Sequence, residues 1–279
     1  MSALDGASDH GPGKIEVKDV RRVFGHPAKG FIALGPVELS VASGEFLCIV
    51  GPSGCGKSTL LRMFAGLDCP STGSIAIRHD DTTRPMTAMI FQQESVFPWL
   101  TVEENAAYGL KATRNWKGQE SRERVDYFLE KTGLYSFRKF RPDQLSGGMK
   151  QRLSIARAFA TNPEILLMDE PFAALDEQNK LLMQQELASL WEEFRSTVIF
   201  ITHGLDEAVL LGDRVVVMSS APGRLIHSMQ IDLPRPRHSS DIRRMPEFTR
   251  YTSELWDILG QEVLEARRQE ARRIQRQGQ

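Results

Sequence analysis

Apolar and polar residues alternate along residues 15–41, and later parts of the chain contain short runs that are apolar throughout. The alternation, which two glycines and a proline interrupt, predicts short antiparallel strands that bury one face. Apolar runs at residues 46–50, 165–168 and 197–202 predict strands that are buried on both faces, as the strands of a parallel sheet are.

Between these runs the apolar residues recur at helical spacing. Leu60, Leu61 and Phe64 predict a helix that Gly66 ends. Strands alternating with helices favour an α/β fold around a mostly parallel core sheet. The remaining predicted elements are strands at residues 73–77, 88–91, 215–218 and 225–231, helices at 180–194, 205–211 and from 246 onward, and a charged helical insertion at 102–140.

The composition is that of an ordinary globular protein, with 41% hydrophobic residues and a formal net charge of -1 over 279 residues. Such a charge gives no overall basic field for nucleic acid. The chain also has no apolar run of the ~18 residues that would cross a bilayer. Cys48, Cys55 and Cys69 have no metal-ligand spacing, so a reducing cytosol is expected. Residues 1–14 lack the apolar core of a signal peptide, and we expect them to be a disordered lead-in.

Residues 51–58 read GPSGCGKS and fit the phosphate-loop pattern GxxxxGK[ST] between a predicted strand and a helix. Backbone N–H groups and the helix dipole of such a loop attract the β- and γ-phosphates. Lys57 adds a positive charge, and the Ser58 hydroxyl is a ligand type for Mg²⁺. The residues predicted to hold the nucleotide are Gly51, Pro52, Ser53, Gly54, Cys55, Gly56, Lys57, Ser58 and Thr59. The alternative is a glycine-rich turn with an incidental lysine.

Two carboxylates follow the apolar run at residues 165–168. Asp169 is placed to hold Mg²⁺ through water, as in the second half of a P-loop ATPase site. Glu170 would then polarise the attacking water as a general base. The alternative is a pair of solvated loop carboxylates.

Residues 145–151 read LSGGMKQ and resemble the LSGGQ signature of ATP-binding cassette (ABC) proteins. Ser146 can cap a helix whose first N–H groups attract a γ-phosphate. The resemblance implies that Ser146, Gly147 and Gly148 meet ATP held by a second copy, in a head-to-tail dimer with two ATP molecules between the copies. Met149 stands where the family often has glutamine, a variant that many importers carry. The alternative is an ordinary capped helix.

The same resemblance implies roles for residues outside these motifs. Phe24 matches the aromatic residue that stacks on adenine, with a core position as the alternative. Gln92 matches the glutamine that contacts Mg²⁺ and links the site to the helical subdomain, with Gln93 as its neighbouring competitor. Ser58, Gln92 and Asp169 are therefore the implied Mg²⁺ ligands.

Two further motifs lie near the end of the matched region. Residues 173–176 match the loop that crosses the dimer interface, and Asp176, its acidic member, also suits a helix N-cap. His203 matches the histidine that bonds the γ-phosphate. Gly204 follows it where the family usually has aspartate, which puts a supporting contact of the histidine in doubt.

Residues 91–102 read FQQESVFPWLTV and are similar to the nitrate, aliphatic sulfonate and taurine importer branch. In the family this stretch grips the permease, and exposed Phe97, Pro98 and Trp99 would suit such a groove. The alternative is that these side chains pack at the entry of the helical insertion. LWEEF, ITHxxDEAVxL and SSxPGR at residues 190, 201 and 219 carry the same resemblance.

The resemblance covers roughly residues 15–235 as one ABC ATPase domain, with a helical subdomain at about 95–160 and a C-terminal helical tail at 236–279. It implies an ATPase subunit with ATP and Mg²⁺, at the cytoplasmic face of a bacterial inner membrane. Its partners would be a permease, a second copy and a separate solute-binding protein, with no nucleic acid. The alternatives are a non-transport ABC ATPase of the DNA repair or translation type, and a lipid or exporter cassette. The transported solute is not encoded in these motifs.

Overall fold

The computed structural model describes residues 13–25, 30–93, 95–237 and 241–277, with side chains described as far as residue 264. Residues 1–12 of the predicted lead-in lie outside the described residues. Over the described chain the strands are β1 (Ile15–Phe24), β2 (Phe31–Val41), β3 (Phe46–Val50), β4 (Thr72–Ile77), β5 (Thr87–Ile90), β6 (Ile165–Asp169), β7 (Thr197–Ile201), β8 (Arg214–Met218) and β9 (Leu225–Gln230). The helices are α1 (Lys57–Phe64), α2 (Val102–Ala112), α3 (Gln119–Lys131), α4 (Gly147–Ala160), α5 (Glu177–Phe194), α6 (Leu205–Leu211) and α7 (Pro246–Gln277).

The chain divides into two compact units. The first unit comprises Met1–Arg78, Phe200–Arg235 and Ser240–Gln279, and the second comprises His79–Ile199 and Pro236–Ser239. The domain boundaries drawn from the sequence remain predictions.

The first unit contains a three-stranded antiparallel sheet in the order β2-β1-β4. Its register pairs Ile15 with Val41 and Phe24 with Phe31. Ile15 and Val41 are fully buried, as the alternating pattern requires of a sheet with one covered face. In the same unit β3 pairs in parallel with β8, and β8 pairs antiparallel with β9.

The second unit pairs β5 with β6 in parallel. Every residue of β6 is buried, which explains its continuous apolar sequence. Helices α2, α3 and α4 pack on one another in this unit. The indole N–H of the buried Trp191 on α5 donates to the Ser196 carbonyl at 2.9 Å, so the polar edge of this core residue is satisfied.

The α/β class with an antiparallel N-terminal sheet, a mixed core sheet and a helical region is confirmed. The observed ends of some elements differ from the predicted ends by one to three residues. Helix α5 begins at Glu177 rather than at Lys180, because the Asp176 carboxylate accepts the Asn179 backbone N–H at 2.9 Å. No helix in the described part of the chain is long and apolar enough to cross a membrane.

Candidate nucleotide-binding site

The phosphate loop connects the buried strand β3 to helix α1, as the sequence predicted. Lys57 is 5% exposed, and its ammonium donates to the carbonyls of Gly51 at 2.8 Å and Pro52 at 2.9 Å. The loop's own backbone therefore fixes a positive charge at the start of α1. A fixed cation at a helix N-terminus is a site for phosphate.

Backbone shape at the start of α1 depends on glycine. Gly56 is the N-cap, with a φ of 101° that L-residues rarely adopt. A Cβ there would lie 2.5 Å from Leu34 Cδ2 and 3.0 Å from the Ala33 carbonyl. No side chain caps the first N–H groups of α1. These residues fit a bound triphosphate, because the N–H groups of the first turn have no intrahelical acceptor.

Cys55 lies inside the loop, and its sulfur is 3.8 Å from the Lys57 nitrogen. Burial raises the pKa of the Cys55 thiol, although the charge of Lys57 opposes the shift. The thiol is therefore neutral at pH 7 and adds no negative charge to an anion site. Cys55 acts as a small buried side chain of the loop.

The carboxylate pair lies at the end of β6 in the second unit. Asp169 is 7% exposed, whereas Glu170 leaves the strand with a φ of 46°. A non-glycine residue with positive φ is uncommon, and such conformations cluster at functional sites. The Gln92 amide nitrogen donates to Glu170 Oε2 at 2.9 Å, so the structure brings these two predicted residues together. The choice of Gln92 over Gln93 as a Mg²⁺ ligand stays a prediction, which this contact supports.

The donor set fits magnesium. Within the second unit Asp169 supplies a buried carboxylate and Gln92 an amide oxygen, since the Gln92 nitrogen already donates to Glu170. Oxygen atoms of these types are the ligands that Mg²⁺ takes in phosphate-transfer sites.

Ser146 is the N-cap of α4, and its hydroxyl accepts the Met149 backbone N–H at 3.3 Å. Helix α4 starts at Gly147, and a Cβ on Gly148 would lie 3.0 Å from Leu175 Cδ2. The signature segment therefore approaches the loop at residues 173–176 within the second unit. The capped-helix interpretation of Ser146 is correct, and its role toward ATP of a second copy is a separate proposal.

Asp176 caps α5 and also accepts the side-chain N–H of Asn179 at 2.6 Å. The backbone and side-chain hydrogen bonds from Asn179 lower the pKa of the Asp176 carboxyl. Asp176 is therefore ionised at neutral pH.

His203 follows β7 in the first unit and is exposed. The neighbouring Thr202 hydroxyl donates to the buried carboxylate of Glu207, and the Gly204 N–H donates to Thr202 Oγ1 at 2.9 Å. A Cβ on Gly204 would lie 3.0 Å from Glu207 Cδ. The carboxylate of Glu207 thus occupies the space beside Gly204, which explains how this turn accommodates glycine after the histidine.

Phe24 ends β1 with 41% of its surface exposed. The core interpretation of this residue is therefore wrong. Its exposed ring is available for stacking.

The segment from Phe97 to Thr101 is fixed by a residue that sequence reasoning missed. Asn105 is fully buried; its oxygen accepts the Phe97 N–H at 2.8 Å, and its amide nitrogen donates to the carbonyls of Phe97, Leu100 and Thr101 at 3.0–3.2 Å. The sequence feature that could have revealed this role is a polar residue, Asn105, on the apolar face of α2 beside Val102 and Ala106. The buried amide therefore holds this loop to α2 through both its oxygen and its nitrogen.

Phe97, Pro98 and Trp99, which the sequence predicted to face a permease, have different environments. Phe97 packs on Tyr108, with ring centroids 4.3 Å apart, and the Arg157 guanidinium lies 5.2 Å from its ring centroid. Pro98 is exposed, and Trp99 is 65% exposed. The packing interpretation is therefore correct for Phe97, while Pro98 and Trp99 face outward.

Comparisons with known proteins agree with these motifs. Residues 34–173 match the model of the family described as ABC transporter. An uncharacterized ABC transporter ATP-binding protein of Methanocaldococcus jannaschii is 43% identical over 91% of this chain and 94% of that protein. The nitrate import ATP-binding protein of Synechocystis is 42% identical over 88% of this chain and 94% of that protein. A solved dimeric ATP-binding cassette, in a post-hydrolysis state bound to ADP and Pi, is similar with a TM-score of 0.68 and 33% identity over 79% of this chain and 100% of that chain.

Proposed function

The chain belongs to the ABC transporter family and is an ATP-hydrolysing subunit, and we propose that it powers uptake of a small solute of the nitrate, sulfonate or taurine kind through a partner permease. Two copies of the chain would enclose two ATP molecules, each held by the phosphate loop of one copy and the signature segment of the other. The dimeric cassette to which the chain is similar supports this arrangement.

The proposed nucleotide contacts divide by chemistry. Phe24 stacks on the base, and the phosphate loop with Lys57 binds the phosphates. Ser58, Gln92 and Asp169 would hold magnesium, which would neutralise charge on the phosphates. From the second copy, Ser146, Gly147 and Gly148 offer N–H groups of a helix N-terminus.

In the proposed mechanism Glu170 accepts a proton from the attacking water, and Gln92 holds the Glu170 carboxylate by their hydrogen bond of 2.9 Å. His203 bonds the γ-phosphate. Positioning and charge neutralisation carry the reaction, because phosphoryl transfer requires no covalent intermediate with the protein.

Replacing Glu170 with glutamine tests the base assignment. Glu170→Gln keeps the shape of the side chain but cannot accept the proton, so kcat should fall by roughly 10²- to 10⁴-fold while ATP still binds. The measurement is steady-state phosphate release beside a nucleotide titration. Glu177→Gln, the same exchange in the first turn of α5, is the matched control and should leave kcat near its original value. Near-normal turnover of Glu170→Gln would refute the assignment.

The importer assignment depends on one observation: Trp99 is 65% exposed on a loop that the buried Asn105 holds by hydrogen bonds. An exposed large aromatic side chain on a hydrogen-bonded loop is the kind of residue that anchors a protein interface. The nitrate import function named for the Synechocystis relative supports a permease as the partner. A permease partner in turn supports a location at the cytoplasmic face of the inner membrane.

Two exposed tryptophans allow a matched test. Trp99→Ala should strongly reduce the permease recovered with tagged chain from native membranes, because truncating an interface anchor costs about 2 kcal/mol or more. Trp256→Ala removes a side chain of similar exposure, 62%, from α7 and should recover permease normally. Equal recovery with both variants would contradict the assignment of Trp99.

The same purification discriminates between the classes of ABC protein. A multi-span permease together with a solute-binding protein supports the importer. Nucleic acid or ribosomes in its place would favour the DNA repair or translation type.

A further inference from the structure

We propose that the ion pair between Arg22 and Asp68 positions Phe24 for base stacking, with the Arg22 guanidinium covering one face of the ring so that the other face receives adenine. This inference rests on the proposed role of Phe24. It assigns Arg22 and Asp68 as positioning residues of the nucleotide site.

Arg22 and Phe24 are two residues apart on β1, and their side chains meet although the pairing with β2 shifts register between Arg22 and Val23. The central carbon of the Arg22 guanidinium lies 4.6 Å from the Phe24 ring centroid. This distance lies within the range of a cation–π contact. Phe24 keeps 41% exposure although the guanidinium lies over its ring.

Asp68 fixes the guanidinium. Arg22 Nη2 lies 2.7 Å from Asp68 Oδ1, and the side chains are only 23% and 17% exposed. Asp68 is held in turn, because its Oδ1 accepts the Cys69 N–H at 2.8 Å. An ion pair that is mostly shielded from water holds its geometry better than an exposed pair does.

The segment that carries Asp68 follows helix α1 and binds the end of β1 at successive residues. The Ser71 N–H donates to the Arg21 carbonyl at 2.8 Å, and the Val23 N–H donates to Ser71 Oγ at 3.0 Å. Asp68 binds Arg22 between these two contacts. Because α1 starts at the phosphate loop, this segment ties the base-stacking residue to the helix that holds the phosphates.

The stacked cation also affects the ring electronically. A guanidinium on one face attracts the π electrons of the ring. The opposite face then becomes less negative and a better stacking partner for an electron-rich purine. The arrangement presents a flat surface to the base, so it contributes to the affinity for the base and not to the affinity for the phosphates.

The test compares the affinity for a non-hydrolysable β,γ-imido analogue of ATP with the affinity for inorganic tripolyphosphate, both with Mg²⁺, by calorimetric titration of the full chain. Arg22→Ala should weaken the nucleotide about two- to fivefold, the size of one cation–π contact, and leave tripolyphosphate unchanged. Asp68→Ala should act in the same direction by less, because the arginine remains. Arg21→Ala, which removes the same charge from an exposed neighbour paired to Asp19, is the control and should change neither affinity.

A Phe24→Ala background separates the possible outcomes. If Arg22 acts through the ring, Arg22→Ala should have no further effect once Phe24 is gone. Equal weakening of nucleotide and tripolyphosphate, or full additivity with Phe24→Ala, would overturn the inference and leave the role of Phe24 intact. If Phe24→Ala alone does not reduce the preference for nucleotide over tripolyphosphate, the proposed role of Phe24 fails as well.

Discussion

Helices α1 and α4 are both expected to point their N-termini at phosphate, but they begin in opposite ways. Helix α1 starts from Gly56, in a left-handed conformation and with no side-chain cap, and its first residue is Lys57. Helix α4 starts from Ser146, in an extended conformation, and the serine hydroxyl accepts the Met149 N–H.

The difference indicates two kinds of phosphate contact. The start of α1 has N–H groups without a side-chain cap and a buried cation beside them, which supports the proposal that it holds the nucleotide. The start of α4 is stable by its own cap, so it can present N–H groups to a nucleotide that another loop already holds. Stability and nucleotide affinity should therefore respond differently to changes at the two helix starts.

The largest expected effect is at Lys57. Lys57→Ala should weaken ATP binding on the order of 100-fold, because losing one partner of a buried charge pair costs about 2–5 kcal/mol. Nucleotide titration measures it. Arg62→Ala removes an exposed cation from the last turn of the same helix and should have little effect. An unchanged titration for Lys57→Ala would remove the lysine from the site.

An intermediate effect is expected at the glycine that starts α1. Gly56→Ala should lower the free energy of unfolding by roughly 2 kcal/mol, because the left-handed conformation is strained for alanine and its Cβ would collide with Leu34. Gly54, with a φ of 75° and nothing within 4 Å of its Cβ position, provides the comparison. Gly54→Ala should cost about 1 kcal/mol from the backbone alone. Equal losses in urea denaturation would show that the contact with Leu34 is unimportant.

The smallest effect is expected at Ser146. Ser146→Ala should reduce the free energy of unfolding by about 1 kcal/mol, the value of an N-cap. Ser146→Asn restores a cap without the hydroxyl, so it should recover stability and, if the hydroxyl meets phosphate, leave ATPase activity low. Denaturation and phosphate release are measured on both variants. Full activity of Ser146→Asn would limit the serine to its capping role.

Local patterns predicted most of this structure. Strand β3, the phosphate loop and α1 follow from an apolar run, a spaced pair of glycines and a lysine, all close together in the chain. The cap of α4 was also predictable, because serine before two glycines at a helix start has a local mechanism.

The rest depends on features that apolar periodicity and motif spacing do not reveal. The position of Asn105 on the apolar face of α2 indicates that it is buried, but not that its amide binds the backbone of Phe97 and Thr101. Nothing local to Glu170 indicates its positive φ. The pairing of Arg22 with Asp68 joins β1 to the segment that follows α1. Sequence spacing therefore indicates which residues share a face, and packing decides how they are held.

The central claim is that this chain holds half of each ATP site and closes on a second copy. The most direct measurement is light scattering of Glu170→Gln after size exclusion, with and without Mg²⁺ and ATP. The account predicts 31.4 kDa without nucleotide and twice that mass with it, and no dimer when Lys57→Ala is added to the same chain. A mass of 31.4 kDa for Glu170→Gln at saturating ATP would contradict the claim.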